Sequence, residues 1–161
     1  GEVITSHCST CKGSSLVKKK QTVTVKIPPG IDSGYRLRIS GNGNAGIHGG
    51  PPGDLYIFIS VKPHHIFERD GSNIHIKKTV SFVAAALGAE INVPTIDAEV
   101  KLSIPPGTQP HSAFRIKGAG MPHLEGKGRG DQYVLIDIEV PKDLTAEQRE
   151  LLKKLKNLRG E

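Results

Sequence analysis

An ungapped internal repeat is the feature that most constrains how this 161-residue chain folds. Residues 23–61 and 100–138 align at a constant offset of 77. The tetrapeptide Ile-Pro-Pro-Gly at 27–30 recurs at 104–107, and the Gly-Asp pair at 53–54 recurs at 130–131. Self-similarity held in register over this length is typical of duplicated structural units. The sequence therefore predicts two copies of one small domain.

Each copy reads mainly as β-structure. Val23, Val25 and Ile27 alternate with polar residues, which is the period of a half-buried strand, and the prolines that follow end it because they lack a donor N–H. Further strands are predicted at 37–40, 55–61, 73–81, 89–93, 98–104, 114–117 and 132–140, with a short helix at 82–87. The fold class is mostly β: two tandem, similar β-sandwich or barrel-like domains with a short helix in between.

The carboxy-terminal segment has a helical pattern instead. Thr145 and Gln148 have the spacing of a capping box, and Gly160 is a suitable stop. Four leucines then share one face at helical spacing: Leu151, Leu152, Leu155 and Leu158. Two interpretations stay open, a helix packed on its own domain and a helix that joins two copies of the chain.

The net charge of the chain does not identify the kind of partner that it binds. The formal net charge is +6 and the sequence pI is about 9.4, which permits acidic peptides or nucleic acid as partners. The basic residues are scattered except for Lys18, Lys19 and Lys20. A basic β-domain that binds nucleic acid is the alternative function. It needs aromatic residues among the basic ones, and the seven Tyr and Phe follow the strand pattern rather than a basic stripe.

Cys8 and Cys11 form the one motif that suggests metal or redox chemistry. Two thiolates at this spacing make half of a tetrahedral zinc site, while a redox pair would need the start of a helix in a βαβ unit. The alternative without metal or redox chemistry is a pair of free thiols on a flexible arm. No nucleophile with its base and no pair of carboxylates stands out, so we expect no enzyme activity.

Several motifs in fixed order resemble the carboxy-terminal half of DnaJ-type co-chaperones, from near residue 1 to about residue 155. None is specific alone, but the set is. They are Cys8-x-x-Cys11-x-Gly13, Ile-Pro-Pro-Gly at 27–30, Gly53-Asp54-Leu55, His64-His65-x-Phe67-x-Arg69-Asp70-Gly71, Ala86-Leu87-Gly88, Val93-Pro94-Thr95 and Gly118-x-Gly120-Met121-Pro122.

This resemblance implies four segments: a remnant of a cysteine-rich zinc region at 1–15, a first β-domain at 16–92, a second at 93–142 and a helix at 143–161. It implies zinc in a longer parent protein, with Cys8 and Cys11 as one half of a site and with no zinc or only partial zinc binding in this chain. Ser15 departs from the family pattern, which has glycine there.

The resemblance also implies the function. We expect a co-chaperone that binds non-native polypeptides, prevents their aggregation and delivers them to a DnaK-type ATPase chaperone. The client residues would be Phe67, Ile66, Val23 and Val25, and the lysines at 18–20 would meet an acidic tail of that partner. We further expect a homodimer through the carboxy-terminal helix, no membrane and no nucleic acid, and a location in the cytoplasm or in an organelle matrix or stroma.

Overall fold

The computed structural model describes residues 9–11, 17–46 and 50–160, and the chain divides into two units at residues 62 and 63. The first unit contains one antiparallel pair of strands, β1 (Arg36–Ile39) and β2 (Leu55–Phe58). The remaining elements belong to the second unit. They are β3 (Glu68–Asp70), β4 (Asn73–Ser81), α1 (Phe82–Leu87), β5 (Ala89–Pro94), β6 (Glu99–Ile104), β7 (Ala113–Ile116), β8 (Gln132–Glu139) and α2 (Ala146–Arg159).

A four-stranded mixed sheet in the order β3-β4-β8-β7 organises the second unit. β4 and β8 run parallel from the pair Ile74 and Gln132 to the pair Ser81 and Glu139, and the outer strands are antiparallel to their neighbours. β5 and β6 form a separate hairpin. Alternate residues of β4 and β8 meet residues of α1 and the hairpin in one core: Ile74, Ile76, Val80, Ala85, Val93, Ile104, Val134 and Ile136.

Part of the repeat is visible in the pairing of the strands. Leu37 of β1 lies opposite Ile57 of β2, and their counterparts 77 positions later, Phe114 and Val134, lie opposite each other in β7 and β8. The loops repeat as well. A carboxylate oxygen of the Gly-Asp pair accepts the backbone N–H of a glycine in both copies, at 3.0 Å for residues 54 and 41 and at 2.8 Å for residues 131 and 118.

The mostly β fold class with its two helices is confirmed, but one predicted strand is missing. Residues 22–27 form no strand: Val23 and Val25 are half-buried, and Ile27 is 60% exposed. Their counterparts at 99–104 form β6, because β5 supplies the pairing N–H and C=O groups there. The strand pattern is present in both copies, but only the second copy provides a partner among the described residues.

Both helices have caps, and those of α2 are the predicted ones. The Ser81 hydroxyl accepts the N–H of Ala84 at the start of α1, and Thr145 and Gln148 form the reciprocal capping box of α2. Gly160 ends α2 in the left-handed conformation, with φ of 75°. Within the described residues, no helix is long and apolar enough to cross a membrane.

The four-segment division of the chain, with a boundary at 92 and 93, rests on sequence likeness and stays a prediction. The packing groups residues 63–92 with the second copy of the repeat, because β4 lies beside β8. The boundary drawn from packing thus precedes the one drawn from motifs by 30 residues, counted from 62 to 92.

The duplication supplies a matched test of this packing. A Cβ added at Gly130 would lie 2.2 Å from the backbone oxygen of Ser72, in the turn between β3 and β4, whereas one added at Gly53 would meet nothing closer than 3.9 Å. We expect Gly130→Ala to lower the free energy of unfolding by about 1–3 kcal/mol through overpacking, and Gly53→Ala to change it little. Urea unfolding followed by circular dichroism checks this, and equal losses in both variants would contradict it.

Candidate functional site

A short turn before the edge strand β3 holds the two residues that the resemblance assigned to client binding. Ile66 is 44% exposed, and Phe67 is half-buried and packs against the hydrophobic core of the second unit. Phe67 is therefore partly a core residue, so only part of its ring faces outward. β3 follows at once, and because it pairs only with β4, its other edge carries no strand among the described residues.

His64 organises this turn. Its Nδ1 atom accepts the backbone N–H of Ile66 at 3.2 Å and of Phe67 at 3.3 Å. Its ring stacks on the ring of His65, with centroids 4.4 Å apart, and lies 5.0 Å from the ring of Phe67. The sequence analysis assigned no role of its own to this histidine, which is exposed. One sequence signal for this role was available. An acceptor side chain can bind the backbone N–H groups two and three residues later, as Asn and Asp do in turns.

The other two predicted client residues lie in the first unit. Val23 and Val25 are half-buried in a segment outside any strand. A larger exposed apolar surface belongs to β2, where Tyr56 is 45% and Phe58 is 76% exposed. These two aromatic residues were not predicted as site residues. The alternation along β2 indicates that they share one face, but not that the face is open.

The same face of the β1–β2 pair carries basic residues, which bears on the nucleic-acid alternative. Arg36 lies opposite Phe58, and its guanidinium is 5.1 Å from the ring centre of Tyr56. Arg38 Nε donates to Asp54 at 2.6 Å. Aromatic and basic side chains therefore face each other across these strands, while Tyr56 and Phe58 still follow the strand pattern. One arginine is neutralised by a carboxylate, however, and the other covers an aromatic ring that a base would need.

The three lysines at 18–20 are exposed. They stand in the more basic part of the chain: residues 1–62 hold eight Lys and Arg against three Asp and Glu, while residues 63–161 hold fourteen against thirteen. Nearly all of the net positive charge thus belongs to the first unit. An acidic segment of a partner would be attracted to that unit over a distance of about a Debye length, roughly 8 Å at physiological salt.

α2 presents its leucine face largely to solvent. Leu151, Leu155 and Leu158 are 58%, 49% and 85% exposed, and Leu152 is half-buried. The first turns of α2 border a cavity of about 470 Å³ with the beginning of α1 and the segment after β8. The cavity is lined by Ser81, Phe82, Val83, Glu139, Pro141, Asp143, Leu144, Gln148, Leu151 and Leu152. The leucine face is therefore only partly used within its own unit.

The cysteine pair gives no metal centre by itself. Cys11 is half-buried, and Cys8 lies outside the described residues. Across 9–11, 17–46 and 50–160, no three His, Cys, Asp or Glu side chains are grouped so as to hold a metal ion. The two thiols fit half of a tetrahedral zinc site, and a complete site needs two more ligands than this motif provides.

Comparison with known proteins agrees with the motifs and the fold. The family model described as the DnaJ C terminal domain matches residues 3–141. A chaperone protein DnaJ of Methanothermobacter thermautotrophicus is 48% identical over all 161 residues, and one of Bacillus cytotoxicus is 50% identical over 151 residues, or 94% of the chain. The chain spans 43% and 41% of the length of these two relatives. This chain belongs to the DnaJ C-terminal domain family.

Proposed function

We propose that this chain binds non-native polypeptides and so keeps them from aggregating. The observation that carries the proposal is the turn with the exposed Ile66 and the half-buried Phe67, beside an edge of β3 that pairs with no strand among the described residues. An extended polypeptide can add to a strand edge through backbone hydrogen bonds, which do not depend on its sequence, while an adjacent apolar surface takes one of its side chains. These are the requirements of a protein that accepts many unfolded partners.

The remaining parts of the proposal concern partners and location. The lysines at 18–20 and the positive charge of the first unit support docking of an acidic tail of a DnaK-type chaperone, to which bound polypeptide is passed on. Zinc belongs to a longer parent protein, where other cysteines complete the site begun by Cys8 and Cys11. The cytoplasmic location and the absence of enzyme activity and of nucleic-acid binding stay predictions.

Polypeptide binding is tested on Ile66, because its side chain is exposed and its loss leaves the core intact. We expect Ile66→Ser to weaken the ability of this chain to suppress aggregation of a thermally unfolding model protein by several-fold, since about 1 kcal/mol of apolar burial is lost. Light scattering measures the effect. Ile96→Ser is the matched control, because Ile96 is 39% exposed on the β5–β6 turn of the same unit.

Two outcomes of this experiment contradict the proposal. If both serine variants suppress aggregation as well as the unchanged chain, Ile66 is no part of a binding surface. If the unchanged chain gives no suppression at all, this chain does not bind polypeptides alone. Val23→Ser with Val25→Ser, compared with Val17→Ser, extends the test to the first unit, because Val17 is 59% exposed.

We also propose that α2 joins two copies of the chain. Leu155 and Leu158 stand on the exposed end of the helix among Lys154, Lys156 and Arg159. The cavity beside the start of α2 is mainly apolar and carries Glu139 and Asp143. A basic helix with apolar side chains matches such a cavity in charge and polarity. In a two-fold dimer each copy would offer both surfaces, so the contact would form twice.

Substitution at the end of α2 tests this dimer. We expect Leu155→Gln with Leu158→Gln to shift the chain from dimer to monomer, because the apolar part of the contact is removed while helix propensity is kept. Analytical ultracentrifugation over a range of micromolar concentrations measures the shift. Lys153→Gln is the control, since Lys153 already pairs with Glu150 at 2.8 Å within its own helix. A monomeric unchanged chain would contradict the proposal.

A further inference from the structure

We propose that His64 is a positioning residue for polypeptide binding, and that its protonation releases the turn at Ile66 and Phe67 and weakens binding in acid. The inference rests on the proposed function and names a regulation of that same surface. It starts from the two hydrogen bonds that the Nδ1 atom of His64 accepts, from the N–H of Ile66 at 3.2 Å and from the N–H of Phe67 at 3.3 Å.

The charge state of the imidazole decides whether these bonds exist. Only a neutral ring with its proton on Nε2 offers a lone pair at Nδ1, because both nitrogens of an imidazolium are donors. Protonation of His64 therefore removes both bonds and places a positive ring N–H against two backbone N–H groups. No other side chain has a charge change that falls so regularly between about pH 5 and pH 8 as that of histidine.

The surroundings of the ring reinforce this dependence. The titratable group that faces His64 is His65, stacked 4.4 Å away, so two imidazolium rings would repel each other at this distance. The Phe67 ring on its other neighbouring side is neutral. Of the charged groups on β3, Arg69 donates to the backbone oxygen of Gly71, and Asp70 lies 4.0 Å from His75 of β4. Glu68 pairs in register with the same His75.

The turn matters to binding because it fixes how the apolar residues and the strand edge are presented together. With the bonds formed, Ile66 points to solvent and β3 begins at residue 68. Without them, a polypeptide must order this segment at the moment it binds, and that ordering lowers affinity. The loss of one such hydrogen bond is expected to weaken binding by about two- to ten-fold.

The variant His64→Asn distinguishes a role of this side chain in positioning the turn from a role that depends on its protonation. Its side-chain oxygen can accept the same N–H groups in an Asx turn and does not titrate. We expect amide protection factors of Ile66 and Phe67, corrected for intrinsic exchange, to fall in the unchanged chain between about pH 8 and pH 5. They should stay level in His64→Asn and be low throughout in His64→Ala. His75→Asn should keep the pH dependence of the unchanged chain, and His65→Asn should keep its direction but weaken it, because the neighbouring imidazolium is removed.

Binding is measured on the same five proteins with carboxymethylated α-lactalbumin, which stays unfolded, by fluorescence anisotropy. We expect acid to weaken binding in the unchanged chain and in the two control variants but not in His64→Asn. Equal pH dependence of protection in the unchanged chain and in His64→Asn, or full protection in His64→Ala, overturns the inference. A switch in protection without any change in affinity overturns its link to binding. If none of the five proteins binds, the proposed function is refuted. The amide protection measurement then still tests the pH dependence of the turn by itself.

Discussion

The parallel pairing of β4 with β8 is the constraint on which the second unit depends. It joins residues 74–81 to residues 132–139, and it brings together the alternate apolar residues that form the core. Parallel neighbours require a long connection, and here that connection contains α1, the β5–β6 hairpin and β7. The hairpin and helix contribute Ala85, Val93 and Ile104 to the same core, so the connection is itself packed rather than looped out.

Comparison of the two repeat copies shows which structural features need only the residues of one copy and which need a neighbouring strand. In both copies the Asp carboxylate of the Gly-Asp pair accepts a glycine N–H, so this hydrogen bond needs only the residues of one copy. The strand at 99–104 and its counterpart at 22–27 behave differently, because only the former lies beside a pairing strand. Tyr133 stacks on His75 of β4 at 5.2 Å, whereas its counterpart Tyr56 stays exposed.

Local signals predicted the elements whose ends are chemically marked. β4 and α1 were predicted to the residue, and in the structure Ser81 caps the helix and Gly88 ends it. The strand predicted at 55–61 ends at Phe58, although Ile59 still exchanges backbone hydrogen bonds with Gly34 and Tyr35. The role of His64 and the cavity beside α2 stayed hidden, because one depends on where a ring nitrogen points and the other on segments from three parts of the chain.

The proposed binding edge, β3, would have to attract foreign chains without joining copies of its own sheet. β3 is only three residues long, and two of its residues, Glu68 and Asp70, are exposed and charged, so it is poorly suited to extended pairing between sheets. The apolar contact lies instead in the turn ahead of it, where Phe67 is anchored in the core and Ile66 faces solvent. A short edge beside a small apolar surface favours weak, reversible contacts, which a protein that must release its partners requires.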